Sequence, residues 1–310
     1  MTTTDTQPAA ATRAATPASA ADRLVGVIRL IRVRQWVKNG FVFAPLLFSG
    51  LLLEPDAVLA SLYAFAFFSV VASAVYVVND LHDVERDRQH PVKARKRPIA
   101  SGVVRVPLAL VVLGVLLAIA TVGGIARPAL GGVLAGYFAL NVLYTYWLKY
   151  QPVIDIFCIA VGFVLRVVAG AVVLDVSVSS WMFITTLCLA LFLAAIKRRE
   201  ELRHETAHQS RSVLRSYSVE LVDRYAEMAA TGALVFYSLF VVTEQESLVI
   251  TIPLVLFGLF RYWYVTHQHT AGESPTDALL NDWQLIAVVL LWIAVCILVL
   301  WPGDPLLPWL

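Results

Sequence analysis

Nine long apolar stretches constrain the fold of this chain more than any other feature of its sequence. They run approximately over residues 36–53, 57–78, 104–123, 129–148, 153–173, 180–196, 228–243, 247–265 and 284–301. About 20 apolar residues in a helix cross the hydrocarbon core of a bilayer, since each residue adds about 1.5 Å. We therefore predict an all-α, polytopic membrane protein with about nine transmembrane helices. Pro45 interrupts the first stretch, and Pro253 and Arg261 interrupt the eighth.

Composition and the placement of charge extend this prediction to the topology. Hydrophobic residues make up 59% and charged residues 15% of the 310 residues, which excludes a soluble domain. If the amino terminus is cytoplasmic, 22 of the 24 Lys and Arg residues lie in cytoplasmic segments or at their helix ends, all except Arg127 and Arg166. Because basic residues accumulate on the cytoplasmic side, we expect a plasma (inner) membrane protein with a cytoplasmic amino terminus and active site. Residues 1–22 predict a disordered tail, and residues 23–310 a transmembrane catalytic domain.

The densest set of metal-type ligands follows the second apolar stretch directly. If that helix continues past Val78, then Asn79, Asp83 and Asp87 fall at i, i+4 and i+8 on one face, with Asp80 beside them. Hard oxygen ligands suit Mg²⁺, which bridges one or two carboxylates to substrate phosphates. The sequence thus predicts a Mg²⁺ site formed by Asn79, Asp83 and Asp87, with Asp80 as a further ligand or support. The alternative is a solvated acidic helix end.

Basic residues accompany the acidic face in two polar loops. Lys93, Lys96 and Arg97 follow it, and Lys197 and Arg198 follow the sixth apolar stretch. Lys and Arg side chains neutralise the phosphate oxygens that a metal leaves uncovered. The combination indicates a phosphorylated, metal-chelated substrate, while insertion signals and attraction to anionic lipid remain the alternative for individual cations.

The pattern Asn79-Asp80-x-x-Asp83-x-x-x-Asp87 resembles the first aspartate-rich motif of the UbiA superfamily of intramembrane prenyltransferases. The second loop departs from the usual pattern, because Lys197-Arg198-x-x-Glu201 stands where most members carry another aspartate-rich motif. This loop and three further segments of the chain resemble the phosphoribosyltransferase branch of that superfamily. These segments are Arg34 to Asn39, Lys93 to Pro98, and Tyr144-x-x-x-Leu148-Lys149-x-x-Pro152-x-x-Asp155.

The resemblance implies a UbiA-type helical bundle and a specific reaction. Phosphoribosyl pyrophosphate would donate 5-phosphoribose to a membrane lipid, decaprenyl or another polyprenyl phosphate, and pyrophosphate would be released. The lipid product would serve the synthesis of cell-wall arabinan precursors. We expect Asp80, Asp83, Asp87 and Lys197 in the catalytic machinery. Substrate contacts are expected from Gln35, Lys38, Lys93, Lys96, Arg97, Tyr144, Lys149, Asp155, Arg166, Arg198 and Glu201. We expect no nucleic acid partner, and the sequence leaves a homo-oligomer open.

Two of these expected contacts carry open alternatives. Lys149 also fits an insertion signal, with Asp155 as its ion-pair partner. Arg166 lies near mid-membrane, where an ionisable residue normally faces a cavity or a partner. It is therefore either a pocket residue or a structural hydrogen-bonding residue.

Three other functions compete with this hypothesis. In an aromatic prenyltransferase of quinone biosynthesis, Glu200, Glu201 and Glu205 would form a degenerate second metal motif. The segment His204 to His208 matches the HExxH pattern of zinc proteases but leaves the acidic face unexplained. A membrane transporter would explain Arg166, although surface carboxylates and one buried charge do not make an ion path.

Overall fold

The structure, a computed structural model, describes residues 19–203, 212–268 and 281–300, and all regular structure in these ranges is helical. The α-helices are α1 (Ala20–Leu30), α2 (Ala44–Phe48), α3 (Pro55–His82), α4 (Val84–Gln89), α5 (Lys93–Lys96), α6 (Val106–Ala126), α7 (Pro128–Tyr146), α8 (Ile154–Leu174), α9 (Ser180–Arg203), α10 (Val219–Glu244), α11 (Ile252–Gln268) and α12 (Trp283–Val299). Short 3₁₀ helices cover Val33–Phe43, Leu148–Tyr150, Ser212–Ser216 and Glu246–Thr251.

Seven helical segments of the described residues are long and apolar enough to cross a membrane. They are α3, α6, α7, α8, α9, α10 and the continuous segment Glu246–Gln268, while α12 is a shorter apolar helix. The predicted class, an all-α polytopic membrane protein, is therefore confirmed. Every predicted apolar stretch after the first coincides with one of these helices.

The first predicted stretch, 36–53, is not a single helix. A 3₁₀ helix over Val33–Phe43 leads into the short α2, which ends at Phe48. Pro45 lies in the first turn of α2, where its missing N–H removes no helical hydrogen bond. Inside the 3₁₀ helix the Asn39 amide donates to Ser69 Oγ at 2.9 Å. A 3₁₀ segment of this length is uncommon, and such tertiary hydrogen bonds compensate for its poor internal geometry.

The first turn of α1 overlaps the predicted tail. Ser19 and Asp22 form a capping box, in which the Asp22 N–H donates to Ser19 Oγ at 3.1 Å and the Ser19 N–H donates to Asp22 Oδ2 at 3.0 Å. This reciprocal cap satisfies two N–H groups that a helix start leaves without partners. Ala20 to Asp22 are thus helical, and residues 1–18 of the predicted tail lie outside the described residues.

Helix α8 is the most enclosed span and is packed by α3, α7, α9 and the 3₁₀ segment Val33–Phe43. Gly170 permits the closest of these approaches, since a Cβ there would lie only 1.9 Å from the Val42 carbonyl oxygen. Because successive spans run in opposite directions, the ends of α3 and α7 meet the start of α8 and the last turns of α9 at one end of the bundle. That end carries most of the predicted site residues.

Candidate active site

The acidic motif begins in the last turn of α3 and continues into α4. Asp83 interrupts the regular helix with φ −92° and ψ 5°, but hydrogen bonds still cross the interruption. The Asp83 N–H donates to the Asn79 carbonyl at 3.0 Å, and the Asp87 N–H donates to the Asp83 carbonyl at 2.8 Å. These i to i+4 bonds keep the expected spacing of Asn79, Asp83 and Asp87 along one side.

Cations of the protein surround these carboxylates. Arg97 Nη1 donates to Asp80 Oδ1 at 2.5 Å, and Arg32 binds the same oxygen. Arg97 Nε also lies 3.8 Å from Asp87 Oδ2, while Lys93 Nζ lies 3.7 Å from Asp87 Oδ1. Two predicted phosphate contacts, Lys93 and Arg97, are therefore the partners of the acidic motif in the structure described here.

The turn after α7 adds a further cation. Lys149 Nζ donates to Asp83 Oδ1 at 3.0 Å and its side chain is buried. Four residues earlier, Thr145 Oγ1 donates to Asn79 Oδ1 at 3.4 Å. The alternative in which Lys149 pairs with Asp155 does not hold, because the fold brings Lys149 to the acidic motif. We call Arg32, Asp80, Asp83, Asp87, Lys93, Arg97 and Lys149 the first polar cluster.

A separate buried network forms around Arg198. Its Nε donates to Asp155 Oδ2 at 2.5 Å, its Nη1 to Glu201 Oε2 at 2.5 Å and its Nη2 to Tyr144 Oη at 2.8 Å. Arg198 and Asp155 are both 0% exposed. Tyr217 completes the network by donating its hydroxyl to Asp155 Oδ1 at 2.6 Å. We call these five residues the second polar cluster.

The second polar cluster shows how the charge of Arg198 is balanced in the structure. Each nitrogen of its guanidinium group donates to a protein oxygen, so Arg198 balances nearby acids in the structure, and its contact with a substrate phosphate stays a prediction. A buried guanidinium requires such partners, because an unpaired charge in a low dielectric is costly. Tyr144, Asp155 and Glu201 are gathered with it, and their substrate contacts stay predictions.

Arg166 lies within the bundle, where its hydrogen bonds favour the structural alternative. Its Nε donates to Asn39 Oδ1 at 2.8 Å, its Nη1 to the Gly162 carbonyl at 2.7 Å and its Nη2 to Tyr137 Oη at 3.1 Å. Aromatic rings, including that of Phe68 at 5.0 Å, surround the guanidinium group. Arg166 thus joins α7 and α8 to the 3₁₀ segment Val33–Phe43.

The remaining predicted contacts occupy less enclosed positions. Gln35 and Lys38 are half-buried on the 3₁₀ segment Val33–Phe43, and Lys96 is exposed at the end of α5. Lys197 is half-buried on α9, next to Arg198. Their roles toward a substrate stay predictions.

Residues of the competing hypotheses fall partly outside the described ranges. The HExxH segment, which includes Glu205, lies there entirely. Glu200 accepts a hydrogen bond from Arg199 Nη1 at 3.1 Å, and Arg199 Nε lies 2.7 Å from Asp223 Oδ1. Glu200 therefore belongs to an ion-pair group that joins α9 to α10.

Two members of the polar clusters were missed from the sequence. Arg32 lies 48 residues from Asp80 along the chain, and Tyr217 lies 62 residues from Asp155. Neither belongs to a motif with a recognisable spacing. Only the packing of distant helices brings these side chains to their partners.

The first polar cluster has donors that fit a divalent cation delivered with a phosphorylated substrate. Asp80 Oδ2 is buried and has no hydrogen-bond partner among the described residues. Burial raises the pKa of Asp87, and Lys93 opposes that shift. No group of three or more His, Cys, Asp and Glu side chains in the described ranges could hold a metal ion alone. Mg²⁺ needs no such cage, since it usually keeps waters and takes one or two carboxylates plus phosphate oxygens.

The helical bundle and the paired charges at one of its ends define a multi-pass membrane protein with a polar site built from several spans. Residues 42–281 match the model of the UbiA prenyltransferase family, and the chain belongs to that family. It is 36% identical to the decaprenyl-phosphate phosphoribosyltransferase of Mycobacterium tuberculosis over 288 residues, which cover 88% of this chain and 94% of that protein. The protein of the same name from Corynebacterium glutamicum is 34% identical over 284 residues, 86% of this chain and 84% of its own length.

A solved structure supports the fold separately. A UbiA homologue from Archaeoglobus fulgidus bound to GPP and Mg²⁺ has a TM-score of 0.69 and covers 87% of this chain and 98% of its own. The two sequences are 18% identical, so this likeness shows the fold alone.

Proposed function

We propose that this protein transfers 5-phosphoribose from phosphoribosyl pyrophosphate to decaprenyl or another polyprenyl phosphate and releases pyrophosphate. The observation that carries the proposal is the 34–36% identity to relatives named for this activity, over more than four fifths of each chain. The reaction would take place at the cytoplasmic face of the plasma membrane and supply precursors of cell-wall arabinan.

The first polar cluster would bind the pyrophosphate end of the donor. Asn79, Asp83 and Asp87 would hold Mg²⁺. Asp80 Oδ2, which has no hydrogen-bond partner within the described ranges, would be a further oxygen ligand or support. The metal would stabilise the negative charge that develops on the leaving pyrophosphate. The attacking oxygen of the lipid phosphate is already anionic near neutral pH, so positioning and charge stabilisation replace a strong general base.

Three of the four cations of the first polar cluster are suited to exchanging partners. The side chains of Arg32, Arg97 and Lys93 are 20%, 30% and 36% exposed, so they can reorient. With Mg²⁺ held by the carboxylates, these three cations would be available to phosphate oxygens, which form charge-assisted hydrogen bonds of the same kind. The three cations would thus contact a metal-chelated diphosphate.

The second polar cluster would shape the site and not bind phosphate through Arg198. Tyr144 lies in the last turn of α7 and is bonded to Arg198. The connection from α7 to α8 carries Lys149, which is bonded to Asp83, and Val153, whose N–H donates to Tyr217. The connection therefore contacts both clusters. Lys197 remains the candidate on α9 for contact with a lipid or ribose phosphate.

The test is a transfer assay with purified protein in detergent or lipid. Radiolabelled phosphoribosyl pyrophosphate, polyprenyl phosphate and Mg²⁺ should yield a labelled lipid that is extracted into organic solvent. Omitting Mg²⁺ should abolish the label, and replacing Asp87 by Asn should strongly reduce it at a Mg²⁺ concentration that just saturates the wild type, whereas Arg95→Ala, at an exposed position near the site, should retain it. Consumption of an aromatic acceptor and a prenyl diphosphate, with no phosphoribosyl lipid formed, would identify the aromatic prenyltransferase instead.

A further inference from the structure

The connection between α7 and α8 contains an unusual backbone conformation. Val153 has φ 69° and ψ −48°, close to a rare and strained γ-turn geometry. Three non-glycine residues of the described ranges have positive φ, namely Arg32, Val153 and Asp175, and Val153 is the β-branched residue among them. A β-branched residue rarely adopts this conformation unless its surroundings impose it.

Tyr217 supplies the contact that holds Val153. The Val153 N–H donates to Tyr217 Oη at 2.5 Å, and the tyrosine hydroxyl donates to Asp155 Oδ1 at 2.6 Å. The Tyr217 hydroxyl thus accepts from Val153 and donates to Asp155, so both of its hydrogen bonds bind the segment that leads into α8. Burial, with the hydrogen bond to Asp155, raises the pKa of Tyr217 and keeps the hydroxyl protonated. Tyr217 itself is buried, and Asp155 is fixed on its other side by Arg198.

The strained residue stands four positions after a member of the first polar cluster. Lys149 lies in the 3₁₀ helix Leu148–Tyr150 and donates to Asp83 Oδ1 at 3.0 Å. The chain between Lys149 and Val153 contains Pro152, which restricts its freedom further. The conformation at Val153 therefore helps to decide where the Lys149 side chain can reach.

We infer that Tyr217 is a positioning residue that holds Val153 in its strained conformation and thereby keeps Lys149 against Asp83. The second polar loop then acts on the first polar cluster through backbone geometry and not through a substrate contact of Arg198. The inference rests on the proposed function only where it concerns turnover, since the Lys149–Asp83 contact belongs to the proposed magnesium site.

The experiment combines Tyr217→Phe with Val153→Gly. The phenylalanine keeps the ring but leaves the Val153 N–H without its acceptor, so turnover should fall roughly tenfold or more. Glycine adopts positive φ without steric cost, so Val153→Gly alone should stay near wild-type turnover. In the double variant the strain is gone, and most of the lost turnover should return. Tyr225→Phe is the matched control, because Tyr225 packs against the same core cluster as Tyr217.

Hydrogen exchange provides a readout that does not need activity. Amides of residues 148–151 should exchange faster in Tyr217→Phe than in the wild type, and the double variant should regain much of that protection. The amide of residue 153 lacks its acceptor in both variants and should exchange fast in both. Unchanged exchange in Tyr217→Phe, or a double variant as impaired as the single one, would overturn the inference. If Tyr217→Phe does not fold, the double variant should fold, because glycine removes the strain at position 153. A double variant that also does not fold would overturn the inference. If the wild type transfers no phosphoribose while the variants differ from it in exchange as expected, only the proposed function is refuted.

Discussion

The two polar clusters differ in how firmly their charges are held. In the first, three of the four cations, Arg32, Lys93 and Arg97, are between 20% and 36% exposed, and each lies against a carboxylate of α3 or α4, while Lys149 is buried. In the second, Arg198 and Asp155 are completely buried. Exposed cations can change partners at little cost, whereas buried ones depend on the partners they have. The first cluster is therefore suited to binding a charged substrate and the second to holding helices in place.

Removing Arg198 should produce the largest effect. Arg198→Met leaves Asp155 and Glu201 without their shared cation, and breaking a buried pair in this way costs about 3–5 kcal/mol. We expect a strongly lowered Tm in detergent and a poor yield. Arg203→Met is the control on the same helix, since Arg203 lies 3.9 Å from Glu200 and is more exposed. An Arg198→Met protein with normal Tm and lowered phosphate affinity would reverse our assignment of the two clusters.

Removing Arg97 should affect turnover more than stability. Arg97→Ala removes a group that contacts both Asp80 and Asp87 and that could turn to a substrate phosphate. The loss of such a charge-assisted hydrogen bond, about 1.5–3 kcal/mol, corresponds to a roughly 10- to 150-fold lower rate or affinity. Steady-state kinetics and Tm should be measured on the same preparations. A fall in Tm as large as that of Arg198→Met would show that Arg97 is structural.

The two clusters should also differ in how their carboxylates affect the Mg²⁺ dependence of turnover. Asp87→Asn removes a proposed metal ligand and should raise the half-saturating Mg²⁺ concentration at least about tenfold. Asp155→Asn should leave that concentration unchanged while it lowers Tm, because Asp155 binds Arg198 and Tyr217. Mg²⁺ titrations of the transfer reaction provide the measurement. A shifted Mg²⁺ dependence in Asp155→Asn would place a metal in the second cluster.

The smallest effect is expected beside the first cluster. Arg88 forms an exposed i, i+3 pair with Glu85 at 2.9 Å, directly after Asp87 in the chain. Exposed pairs contribute little, so Arg88→Ala should change stability by about 0.5 kcal/mol or less and leave turnover unaltered. A substantial loss of turnover would mean that the phosphate-binding surface extends farther along α4 than the first polar cluster does.

The fold was more predictable than the site. Apolar stretches such as 57–78 coincide with helices because the hydrocarbon core imposes a minimum length that composition alone reveals. The prediction of one helix over 36–53 was wrong because tertiary contacts hold its backbone, such as those of Asn39 with Ser69 and Arg166. The periodicity of the sequence does not encode such contacts. In the site, the spacing of Asn79, Asp83 and Asp87 was readable because it follows the helical repeat.

The sequence by itself determined the membrane-spanning helices, the acidic motif and the resemblance to a family that the match over residues 42–281 confirms. These are local patterns, and the helix period and the bilayer thickness convert them directly into structure. Only the tertiary structure decided which acid each cation meets: Arg198 binds Asp155, 43 residues away, and Lys149 binds Asp83, 66 residues away. Any cation attracts any carboxylate, so the charges themselves do not select the pairs. The packing of α3, α7, α8 and α9 determines which charged groups lie close together.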